Sequence, residues 1–157
     1  MLNTELVWKA FTLLLDQLEG VNVAEISERD FNEAGELIMS PPSVRSFFTG
    51  EKASSLSDTQ RLSYNVTGVY VALCASEDLR GSVDQAKASL RLASRVKTIM
   101  AGARLALPDG DITEPVTFIS MHPEPLDDVG VAYAVTFEVP GIAQFPGANA
   151  WPSGGEV

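Results

Sequence analysis

The residue types that do chemistry are few in this chain of 157 residues, which holds one histidine and one cysteine. His122 stands in Met121-His122-Pro123, and a single histidine cannot build a multi-histidine metal site. It reads as a turn or hydrogen-bonded structural residue just after a strand, not as a general base. Cys74 lies in the apolar run Val69 to Ala75 and reads as a buried small hydrophobe with no disulfide partner. Asp109, Asp111 and Glu114 resemble the opening of a calcium loop, but the remaining spacing and the closing glutamate do not follow. Asp127-Asp128 falls in a hairpin loop, where acids serve local turn geometry. No phosphate loop, nucleophile elbow or dinucleotide fingerprint occurs. The expectation is no catalytic residue, no cofactor and no metal, and a protein that is not an enzyme.

Charge is more informative. The formal net charge is −10, which argues against a dedicated nucleic-acid binder because phosphates would be repelled overall. Its distribution is uneven. Arg80 to Arg104 holds six of the eleven basic side chains and one acid, Asp84, whereas residues 105–157 hold eight acids and no Lys or Arg. Lys87, Arg91 and Arg95 recur every four residues and so share one side of a helix. A basic strip and an acidic final third can pair unlike surfaces between copies of one chain. The alternative is a solvated helix face beside acidic loops.

The elements that must position these residues follow from periodicity. Leu2 to Leu18 has helical spacing through Leu6, Ala10, Leu13 or Leu14, and Leu18. Asn3 or Thr4 can cap it and Gly20 stops it; Trp8 and Phe11 widen the apolar face. Val21 to Ile26 alternates as a strand, Phe31 to Ile38 allows a short helix, and Pro41-Pro42 closes the segment. Val44 to Thr49 reads as a strand ending at Gly50, with a polar, mobile loop over Glu51–Thr59. Arg61 to Ala75 is the longest strand, apolar on both faces after Gly68, where a bulge or a doubly covered region would account for the change.

Ser82 or Asp84 can cap a helix to Met100, stopped by Gly102, with Ala86, Leu90, Ala93, Val96 and Met100 as its core face. A turn-rich loop covers 107–111. Val116–Met121 and Val129–Val139 then form a closing antiparallel pair, in which Val131, Tyr133, Val135 and Phe137 face the core opposite Leu90 and Val96. The fold class is α+β: a mixed, mostly antiparallel sheet of about four or five strands with two long helices packed against it. Residues 1–139 form one domain. Residues 140–157 form a Gly/Pro-rich tail whose large side chains, Phe145 and Trp151, suit docking on a neighbour. Both this tail and the loop before residue 60 are expected to gain order on assembly.

The N-terminus carries acid early, at Glu5, and shows no secretory pattern. No apolar run approaches the roughly 20 residues that span a bilayer. Synthesis and folding in the cytoplasm, without membrane contact, are expected.

The order of elements carries a resemblance. A strand with Phe47-Phe48-Thr49-Gly50, a long strand ending Val69-Tyr70-Val71-Ala72-Leu73-Cys74, and Ser76-Glu77-Asp78-Leu79-Arg80-Gly81 come in succession. A helix ending Val96 to Gly102 follows, then Gly130 before the aromatic-rich strand Val131 to Val139. Over Val44 to Val139 this resembles the small tail proteins of Mu-like phages, of the tail terminator or tail completion kind. The resemblance implies a virion structural protein, assembled in the bacterial cytoplasm, forming a hexameric ring that caps the tail tube. Its implied partners are copies of itself, the tail tube protein and a head-completion or connector protein, with DNA passing through the lumen without specific binding. The chain departs from that pattern beyond Val139, and its first 40 residues match only as a helix followed by loosely patterned chain. Lys87, Arg91, Arg95 and Trp151 are the candidate subunit-interface or lumen residues. Another head–tail connector or a tube subunit has a similar layout, and a small enzyme with an inconspicuous motif is the third reading.

Overall fold

A computed structural model describes residues 3–55, 63–126 and 130–144. The first helix, α1, spans Thr4–Leu15, and the Asn3 side chain accepts from the Leu6 N–H at 3.2 Å. It is shorter than the Leu2–Leu18 periodicity suggests. Its buried face is Val7, Ala10, Phe11 and Leu15, so Leu13 points outward at 65% exposure and Phe11 becomes the centre.

Strand β1 (Asn22–Glu25) runs parallel to β2 (Ser43–Ser55). Between them the expected helix over 31–38 is absent. A single 3-10 turn, Glu28–Asp30, is followed by a tight turn at Gly35 (φ +80°) that bridges Phe31 to Leu37. Strand β3 (Ser63–Ala75) pairs antiparallel with β2 and with the last strand, β5 (Gly130–Gln144). Helix α2 (Ser82–Met100) crosses over to β4 (Thr117–Leu126), which pairs with β5. The sheet order is β1-β2-β3-β5-β4, mixed through the one parallel pair.

Three strands run further than the sequence pattern suggests. β2 continues through Gly50 to Ser55, β4 takes in His122 and two prolines, and β5 passes Pro140 to reach Gln144. Residues 56–59 of the expected loop, Asp127-Asp128, and the tail from Phe145 through Trp151 to Val157 lie outside the described residues. The register shift near Gly68 belongs to the partner strand, between Phe48 and Gly50. What requires glycine at 68 is the Tyr70 ring, because a Cβ there would sit 2.7 Å from it.

Side chains alternate across the strands and build two cores. Under the helices, Phe11 stacks on Tyr70 at 5.4 Å between ring centroids and meets Phe137 edge-on at 5.8 Å. Val44, Cys74, Val135 and Val96 complete this core. On the other face Val71, Leu73, Ala75, Ala132 and Ala134 pack against Leu37 and Met39 of the irregular segment before β2. β5 is thus covered on both sides, beyond the single core face expected of it.

Candidate interaction surfaces

The outer face of α2 is set by which side chains the helix buries. Gln85, Ala88, Ser89, Leu92, Ala93, Val96 and Met100 turn inward. The expected core stripe is therefore rotated: Ala86 is half-buried and Leu90 is 40% exposed, while Val96 does face Val135 and Phe137 within one core. The polar residues Gln85 and Ser89 hold the inward positions because the backbone there offers them partners. The Gln85 carboxamide donates to Ser76 O (2.8 Å) and Val131 O (3.1 Å) and accepts from Val131 N (2.8 Å). It extends the ladder between β3 and β5 just past the point where β3 ends.

Lys87, Arg91 and Arg95 are all exposed, on the side of α2 away from the sheet. None of them is in an ion pair among the described residues. Val83, at 67% exposure, lies on the same outer side as Leu90. Trp151 falls outside the described residues.

The helix-free side of the sheet carries a feature the sequence pattern missed. A groove of about 800 Å³ is floored by Phe47, Val71 and Leu73 and walled by Ile26, Phe31 and Leu37. Glu36, His122 and Glu124 add polar lining. His122 is inside β4, not after it, and its Nε2 lies 3.0 Å from Glu124 Oε1, as alternation places residues two apart on one side. The wall is tied down by a buried ion pair. Arg45 Nε donates to Asp30 Oδ1 at 3.0 Å, a second guanidinium nitrogen donates to Asn22 O at 2.8 Å, and Asp30 also accepts from the Ser27 N–H at 2.9 Å.

The remaining candidates stay apart. Asp109, Asp111 and Glu114 are exposed, and Glu114 faces Arg104 at 3.5 Å. Among the described residues no three His, Cys, Asp or Glu side chains come together as a metal site would require. Cys74 is fully buried, and burial pushes its thiol far above the ordinary range. Asp78 is held well below the usual carboxylate range, first by the hydrogen bond from the Arg80 guanidinium and then by the Arg80 backbone N–H. No helix among the described residues is long and apolar enough to cross a membrane.

No protein-family model and no curated protein matches the chain. Among solved structures, a chain from the virion of a native gene transfer agent particle aligns at a TM-score of 0.28 and 12% identity, covering 76% of this chain and 98% of that one.

Proposed function

We propose that this chain is a phage structural protein, a tail terminator or tail completion protein, that closes head to tail into a hexameric ring. The ring caps the tail tube, joins it to the head through a connector, and lets DNA through without specific contact. It is then a component of the virion tail, assembled in the host cytoplasm, and not an enzyme.

One observation carries this reading: the outer face of α2 is mainly basic, while the groove on the opposite side of the sheet is lined by carboxylates. The outer face of α2 offers Lys87, Arg91 and Arg95, while the helix-free side carries Glu36 and Glu124 at the groove, with Glu33 in the same turn. Unlike faces on one subunit favour a heterologous contact, in which one surface meets a different surface on the next copy, and such contacts close into rings when the rotation allows. The resemblance over Val44 to Val139 supplies the kind of ring.

Electron microscopy of the purified protein, alone and mixed with tail tubes, tests this. Closed rings that sit on tube ends are expected, and raised salt should weaken them. Long tubes of this chain alone would replace the reading with a tube subunit. A monomer under all conditions would overturn it.

A further inference from the structure

We propose that the groove on the helix-free face receives α2 of a second copy: Val83 and Leu90 of one subunit enter the apolar floor, and Lys87 and Arg91 meet Glu36 and Glu124 of the next. The inference rests on the ring reading above and names its contact.

Three observations support it. First, both surfaces are unfinished within one copy. Phe31 is 40% exposed at the groove wall, and Val83 and Leu90 are 67% and 40% exposed on the helix. Val83 and Leu90 are two turns apart, about 10 Å along the axis, so they form one ridge. Lys87 lies one turn from each of them, and Arg91 follows it by another turn.

Second, the charges match. The groove has two carboxylates in its lining, and the cations that flank the ridge are in no direct ion pair among the described residues, Arg91 lending only a weak attraction to Asp78. An apolar centre with a rim of opposite charge fixes register and speeds encounter. This moves the acidic acceptor from the C-terminal third alone to a joint surface, Glu124 from that third and Glu36 from the turn before β2.

Third, the two surfaces sit on opposite faces of the sheet. Leu73 and Val71 point to the groove, while Cys74 and Tyr70 point under the helices. The α2 of one subunit cannot reach that subunit's own groove across the sheet, and two copies cannot fill both surfaces of each by a two-fold. The contact therefore propagates from copy to copy.

The test uses the full chain. Leu90→Cys is made in one batch and Phe31→Cys in another; the native Cys74 is buried and stays out of the reaction. Mixed and oxidised, the two should give a one-to-one disulfide dimer, and neither should cross-link alone. In a second arm, Lys87→Glu with Arg91→Glu, and separately Glu36→Lys with Glu124→Lys, should each weaken assembly by about tenfold or more, and mixing the two should restore it. Circular dichroism melts check that each variant is folded; Glu36→Gln with Glu124→Gln serves if the lysine variant is not, with a smaller loss expected.

Rings that form while no cross-link appears, or that survive both charge reversals, overturn the docking and leave the ring reading standing. Cross-linked rings that fail to cap tubes support the docking and overturn the terminator reading. A monomer throughout overturns both.

Discussion

The two faces of the sheet are covered by different means. On one, helices deliver Phe11, Leu15, Val96 and Met100, and the aromatic trio Phe11, Tyr70 and Phe137 is at most 1% exposed. On the other, the cover is an irregular segment ending at Met39, and the strands beneath it present mostly alanine and small aliphatic side chains. A helix satisfies its own backbone and can spend a whole face on packing. The irregular segment cannot. Its Asn32 N–H goes to Glu36 O at 2.9 Å and its Ile38 N–H to Asp30 O at 2.8 Å, so it folds back on itself and covers only part of the sheet. The groove lies at the edge of that cover, where Phe31 is 40% exposed on the wall while Val71 and Leu73 on the floor stay buried. The larger core lies on the helix side, and the other side leaves apolar side chains such as Phe31 partly exposed.

The largest expected effect tests that imbalance. Phe11→Ala removes the centre of the aromatic trio and should cost about 3–5 kcal/mol, as large-to-small changes in a closed core do. At this chain length that lowers Tm by about 10 °C. Phe47→Ala, on the half-buried groove floor, should cost less than half as much. Urea unfolding of both variants as monomers measures the pair, and equal losses would break the comparison.

Next comes the seam between the faces. Gln85→Leu keeps the volume but strands the Val131 N–H and carbonyl and leaves the Ser76 carbonyl only the long bond from the Ser89 hydroxyl (3.4 Å), with an expected cost of about 2–3 kcal/mol. Faster hydrogen exchange at the Val131 amide would locate the damage. Gly130→Ala should act in the same direction, because the Gln85 carboxamide fills the space its Cβ needs.

Much of this was legible in the sequence. Periodicity identified both helices and five strands, and the signals at Asn3 and Gly102 mark a real cap and a real stop. Orientation was harder. Leu13, Leu14 and Leu15 fit several stripes, and in α2 the buried Gln85 and Ser89 masked the true inward face. Strand ends were missed where proline or polar residues suggested breaks. Pro123 and Pro125 are tolerated because β4 is an edge strand, and Pro140 because β5 there has passed the start of β4 and pairs only with β3. The basic stripe was readable because it lies on one helix. The groove was not, since Ile26, Phe31, Phe47, Val71 and His122 come from separate stretches of chain that only the sheet order brings together.

The smallest expected effect uses thiols to compare the faces directly. Cys74 belongs to the helix-covered core and is fully buried; Thr49 lines the groove and is exposed. In the folded protein burial holds the Cys74 proton well above the ordinary thiol range, whereas the unfolded chain loses it near pH 8.5. Above that pH the unfolded state binds fewer protons than the folded one, so stability is constant below it and falls as pH rises. For one such group the loss between pH 8 and 9.5 is about 1 kcal/mol. Tyr70, raised first by burial and then by Glu51, continues the slope above about pH 10. Cys74→Ala should flatten the first part of the curve and leave the second. Iodoacetamide should label Thr49→Cys within minutes at pH 8 and leave Cys74 untouched until the chain unfolds, because the thiolate must form and be reached. If Cys74 reacts as fast as the cysteine at position 49, the helix-covered face is as open as the groove, and the contrast between the faces is lost.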